Sequence, residues 1–187
     1  ALDAANKGFV EEIEAADITA KINHQNAQND QSACQTIAST LVNENCDLIL
    51  AIATPAAQAV AGATSDIPIV CTAITDFAAS GLVEDNDAPG GNVTGTSDMN
   101  PVADQIDLLH QLVPDAKKVG LLYCTAESNS KIQIDLAAEQ LDELGMEGVE
   151  YTASSSNEVQ QVVESMMGKV DAIYTPTDNT IASAMTV

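Results

Sequence analysis

Arginine is absent from this sequence, and so is tryptophan. Six lysines stand against 28 acidic residues, a formal net charge of −22 at pH 7 over 187 residues. A field of that sign repels phosphate backbones and anionic lipid, which argues against nucleic-acid binding. Aromatic residues make up 3 % of the chain, too few for base-stacking platforms. Without arginine no bidentate clamp is available, so an anion has to be held by lysine, hydroxyls, amides or helix N-termini. The four cysteines form no C-x-x-C pair and there are only two histidines. No metal site is expected, and no cofactor. No stretch reaches the ~18 apolar residues of a membrane helix, and no basic region followed by an apolar one marks a signal peptide. G-x-G-x-x-G, Walker A and G-x-S-x-G patterns are all missing, and Gly90-Gly91 precedes a strand, the wrong side for a phosphate loop. His24 and His110 stand alone and read as surface or capping residues. With no catalytic set, an enzyme is not expected.

What is present is a folded chain, 45 % hydrophobic, long enough for one large domain or two small lobes. Apolar runs alternate with helical patterns. Helices are expected over 1–16, 32–43, from Thr54-Pro55 onward, 101–112, 132–144, 158–167 and 180–185. Strands are expected over 18–23, 47–53, 67–73, 93–97, 117–124, 149–153 and 170–174. This alternation predicts parallel sheets built from βα units. Cys34, Cys46, Cys71 and Cys124 fall on separate elements, and four free thiols are expected.

A weak internal repeat points to two copies of one design. Ser32 precedes Asp47 by fifteen residues, and Asp47 leads a strand ending in Thr54-Pro55. Ser156 precedes Asp171 by fifteen residues, and Asp171 leads a strand ending in Thr175-Pro176. Two lobes, residues 1–96 and 99–187, with a crossing at 92–98, explain this order. Ligands of parallel sheets sit beyond the carboxyl ends of the strands. The loops there are 53–56, 72–77, 125–130 and 175–179, and two lobes meeting through them make a cleft able to close by hinge bending. The stretch 125–131 (TAESNSK) lies between a strand and a helix, where unpaired N–H groups and the helix dipole suit a carboxylate. Ser128 or Asn129 serves equally well there as a simple helix cap.

The segments 47–57 (DLILAIATPAA), 68–83 (PIVCTAITDFAASGLV), 92–98 (NVTGTSD), 118–130 (KVGLLYCTAESNS) and 171–179 (DAIYTPTDN) together resemble the ABC-transporter substrate-binding protein family that includes the tryptophan-binding TrpX-like proteins. The resemblance covers essentially the whole chain. It implies an α/β fold of the type I periplasmic-binding-protein kind, two Rossmann-like lobes whose parallel sheets are flanked by helices. It also implies an incomplete chain, because an opening strand would precede Ala1 and further second-lobe elements would follow Val187. The implied function is extracytoplasmic capture of a small solute, an amino acid and foremost an aromatic one, by a cell-surface lipoprotein or periplasmic protein that delivers it to an ABC permease. By the same resemblance, Ser128, Asn129 and Ser130 would hold the ligand carboxylate, Asp178 the ammonium, and Asn179 would support the polar end. Thr54 and Ala56 would close over the ligand, and Thr75 and Asp76 would line the cleft near Phe77. Helix capping is the other reading of Asp76 and Asp178, and core packing the other reading of Phe77. The second function class on this fold is the ligand-sensing domain of a receptor or transcriptional regulator.

Overall fold

The computed structural model describes residues 2–185. Ala1 of the first expected helix and residues 186–187 of the second expected lobe lie outside these. The chain divides into two compact units, Ala1–Met99 and Asn100–Val187.

The first unit carries α1 (Leu2–Ala15), α2 (Gln31–Asn43), β1 (Ile49–Ile52), α3 (Thr54–Ala63), β2 (Ile69–Ile74) and β3 (Val93–Ser97). Its three strands form one parallel sheet in the order β1-β2-β3. Ile49, Ala51, Ile69, Cys71 and Ile74 supply its buried core with Ala57 and Val60 of α3. Gly95 is required by contact: a Cβ there would lie 2.0 Å from the Cys71 carbonyl oxygen across the β2–β3 ladder. The strand expected over 18–23 does not form. Residues 18–26 are exposed and belong to neither sheet. Their apolar alternation is insufficient because a strand needs a ladder partner for its N–H and C=O groups.

The second unit carries α4 (Val102–Leu112), β4 (Lys118–Cys124), α5 (Ser128–Glu143), β5 (Glu147–Ala153), a 3-10 turn (Ser156–Glu158), α6 (Val159–Met166), β6 (Ala172–Tyr174) and α7 (Asn179–Ala184). The sheet is again parallel, in the order β5-β4-β6. The apolar run of β4 is buried from Val119 to Cys124 because this strand is central, with helices on both faces. Asp171 fixes the start of β6: its Oδ2 accepts the N–H groups of Lys117 and Lys118, each at 2.9 Å. These two bonds hold its carboxyl below the usual range. Both Thr-Pro pairs of the internal repeat follow a strand, but what comes after them differs. Thr54 opens α3 directly, whereas Thr175-Pro176 lies in a loop ahead of α7.

All four cysteines are free. Burial raises the Cys71 thiol to about 11, so it remains a protonated core residue at neutral pH.

Candidate functional site

In the second unit, β4 and β6 are neighbours, so the loops leaving their carboxyl ends lie side by side. The first leads into α5, which starts at Ser128, four residues before the sequence pattern suggests. Serine and asparagine favour caps over helix interiors, but tertiary bonds hold this turn helical. Ser130 Oγ donates to Asp178 Oδ2 at 2.8 Å, and Asn129 Nδ2 donates to the Thr177 carbonyl at 3.1 Å. Gln133 completes the tie with a bond from Nε2 to Thr177 Oγ1 at 2.7 Å. Ser128 is exposed, whereas Asn129 and Ser130 are buried.

Two buried carboxylates organise the second loop. Glu127 accepts the backbone N–H of Asn179 (3.0 Å) and of Thr180 (2.8 Å), together with the Asn179 side-chain amide and the Thr180 hydroxyl, each at 2.7 Å. It is therefore the anion at the N-terminus of α7. Asp178 accepts Ile181 N–H through Oδ1 at 2.8 Å and Cys124 N–H through Oδ2 at 2.7 Å, besides the Ser130 hydroxyl. Both are nearly inaccessible, Glu127 at 4 % and Asp178 at 3 % exposure. Burial, then the charge of Glu127, raises the Asp178 carboxyl above its ordinary value, against the pull of its three hydrogen bonds. Asp178 is thus a helix cap and a strand tie. Asn179, half-buried, adds its amide to the Glu127 cluster.

Four buried side-chain atoms have no hydrogen-bond partner among the described residues. Two of them, Asn129 Oδ1 and Thr175 Oγ1, belong to these adjacent loops.

In the first unit, Thr75, Asp76 and Phe77 follow β2 and line a cavity of about 330 Å³ with Asn86, Gly95, Ser97 and Met99. Asp76 Oδ1 accepts Ala79 N–H (2.9 Å) and Asn86 Nδ2 (3.1 Å), while Asn86 Oδ1 accepts Ala78 N–H (2.9 Å). Asp76 therefore caps its turn and remains half-exposed at the cavity. Ser97 Oγ donates to the Thr75 carbonyl at 2.8 Å. Phe77 is 8 % exposed and belongs both to the core and to the cavity wall. Thr54, buried, and Ala56, half-buried, occupy the first turn of α3 and are not among the lining residues of this cavity. The residue before them, Ala53, has φ 76 and ψ 151, a conformation that only glycine adopts without strain. Ala73 near the end of β2 has φ 58, where the ladder to β3 shifts register.

Glu127, Thr175, Asn86 and Ser97 escaped sequence reasoning. Glu127 had one available signal, since it is the only acidic residue between β4 and the helix it precedes. Asn86 and Ser97 lie 10 and 21 residues from Asp76, and only folding brings them to it.

The family model for ABC transporter substrate-binding proteins matches residues 1–187. A curated protein of Clostridioides difficile (strain R20291), described as a tyrosine-binding protein, is 46 % identical over 190 residues, covering 100 % of this chain and 55 % of that protein. A Streptococcus crystal structure, described as an ABC domain in complex with L-Trp, is 42 % identical with a TM-score of 0.93, covering 99 % of this chain and 64 % of that one. A conserved domain protein of Vibrio cholerae is 36 % identical with a TM-score of 0.94, covering 98 % of this chain and 64 % of that one. The present chain thus spans between about half and two thirds of these relatives' lengths. The architecture is that of the type I periplasmic binding proteins.

Proposed function

The chain belongs to the ABC transporter substrate-binding protein family, and from that premise we propose that it captures an amino acid, foremost an aromatic one, outside the cytoplasm for delivery to an ABC permease. The observation that carries this reading is the N-terminus of α5. It follows a buried parallel strand, presents Ser128 at the surface, and stands in a chain that has no arginine clamp for an anion. Backbone N–H groups and a hydroxyl in the positive end of a 16-residue helix suit a ligand carboxylate. The first unit, by itself, has the cavity edged by Thr75, Asp76 and Phe77, and Thr54 and Ala56 lie in the first turn of α3. Phe77 gives that cavity an aromatic wall. The relatives described as binding tyrosine and holding L-Trp favour the aromatic amino acids as first candidates.

A thermal-shift screen of the full-length protein against the twenty amino acids and common neutral solutes tests the proposal. A ligand that binds only the native state raises the midpoint by mass action. L-tryptophan or L-tyrosine is expected to raise it, and neutral sugars are not. A shift with sugars or inorganic anions and none with any amino acid would overturn the reading.

A further inference from the structure

We propose that Asp178 is an acid-operated latch: its carboxyl takes up a proton from solvent, the Ser130 hydroxyl turns to accept it, and the tie joining β4, α5 and α7 tightens as the repulsion from Glu127 disappears. The tie fixes the first turn of α5, to which the functional reading gives the ligand carboxylate, but the latch stands without that reading.

The fold sets two carboxylates close together and out of water. The Asn129 amide spans them: Nδ2 lies 3.4 Å from Glu127 Oε2 and 3.5 Å from Ser130 Oγ, whose hydroxyl donates to Asp178 Oδ2 at 2.8 Å. Three elements hang on Asp178, α7 through Ile181 N–H, β4 through Cys124 N–H and α5 through Ser130. Among the described residues no cation pairs with either carboxylate. Lys131 of α5 pairs with Asp135 and, at 3.7 Å, with Glu150. The 3-10 turn and α6, which pack against α7, offer Glu158 and Glu164. Both are exposed and take their donors locally, from Ser154 and from Gln160. Tyr123 of β4 and Tyr174 of β6 donate their hydroxyls to Glu150 and Gln105. The Cys124 thiol is free, and α7 itself carries no titratable side chain. Glu127 is therefore the charge that Asp178 feels most.

Proton uptake leaves this tie in place. Two of the donors to Asp178 are backbone N–H groups, which cannot turn. The third is a hydroxyl, donor or acceptor as it rotates. A proton on Oδ2 can point at Ser130 Oγ, while the serine hydrogen turns to a carbonyl of its own helical turn, a common serine bond in helices. Both N–H bonds survive, and one of two buried like charges is gone. Burial first, and the Glu127 charge second, raise the Asp178 carboxyl against its three hydrogen bonds. In a locally opened state Asp178 returns to its ordinary value. The closed state thus binds the proton more tightly, and closure is favoured as the pH falls into the window just above 3.8.

NMR of the full-length protein, labelled at its carboxyl carbons and backbone amides, tests the latch between neutral pH and about 4. The Asp178 carboxyl is expected to titrate above an ordinary aspartate, and its midpoint to move down in Glu127→Gln. Hydrogen exchange reads the closure. Protection of the Ile181 and Cys124 amides, corrected for the exchange rate of free peptide at each pH, is expected to rise as the pH falls. Acid also eases repulsion across a chain of net charge −22, so the amides of β2 in the first unit serve as the reference. The rise at Ile181 and Cys124 should exceed theirs, and Asp178→Asn should remove the excess. If Glu127→Gln does not fold, the wild-type titration and protection still decide. An Asp178 midpoint at or below that of an ordinary aspartate would overturn the latch, as would protection that merely tracks β2. A midpoint unmoved in a folded Glu127→Gln would overturn it too.

Discussion

Replacing Glu127 with Gln tests whether a buried carboxylate holds the second unit's loops together. One carboxylate oxygen accepts Thr180 N–H and hydroxyl, and the other accepts Asn179 N–H and side-chain amide. Glutamine keeps one acceptor oxygen and turns the other side into an NH2 donor. The Thr180 hydroxyl can rotate and the Asn179 amide can reverse, but a backbone N–H cannot. At least one of the two N–H groups is left facing a donor, which costs about 1–3 kcal/mol for a buried group. Losing the anion at the start of α7 adds about 0.3–1 kcal/mol. Relief of repulsion with Asp178 offsets part of this, so the net destabilisation is expected at about 1–3 kcal/mol. Urea unfolding of wild type and variant measures it, and hydrogen exchange at Asn179 and Thr180 localises it. A variant as stable as wild type, with unchanged protection at those amides, would refute the reasoning.

Gly95→Ala should destabilise by about 3 kcal/mol or more, because its Cβ meets backbone rather than a movable side chain; a chemical melt reads this. Ala53→Gly should stabilise by roughly 1 kcal/mol, since about 1–3 kcal/mol of strain is released against about 0.5–1 kcal/mol of added chain entropy; a raised melting temperature would show it. The raised carboxyl of Asp178 means that the native state holds a proton in the window just above the ordinary value of 3.8. Its contribution to stability therefore falls as pH rises through that window. Between neutral pH and about 4, wild type should gain stability relative to Asp178→Asn, and parallel curves would contradict this. Thiol titration of denatured, unreduced protein should count four thiols, as the four free cysteines require.

Much of the fold was legible because its signals are local. The apolar runs of β1, β2 and β4 read as buried parallel strands, and they are. The helix–strand alternation likewise announced βα units. The strand expected over 18–23 failed because pairing depends on a partner that periodicity does not report. The start of α5 was misplaced for a related reason: Ser128, Asn129 and Ser130 look like loop residues until Thr177 and Asp178, each 48 residues from its partner, bind the side chains of Asn129 and Ser130. The candidate site shows the same division. Thr75, Asp76 and Phe77 adjoin in sequence and share a cavity, whereas Glu127 reaches Asn179 and Thr180 only through the adjacency of β4 and β6. The capping roles of Asp76 and Asp178, open in the sequence, are both visible as hydrogen bonds, and Phe77 serves as core and as cavity wall together.

The most direct measurement is calorimetric titration of the full-length protein with L-tyrosine and L-tryptophan, each beside its des-amino counterpart and its methyl ester. The account predicts that the free amino acid binds. It also predicts that removing the ammonium or masking the carboxylate weakens binding at least about tenfold, since each end loses a charge-assisted contact. Equal affinity for the amino acid and its des-amino counterpart, or no binding of either amino acid, would contradict it.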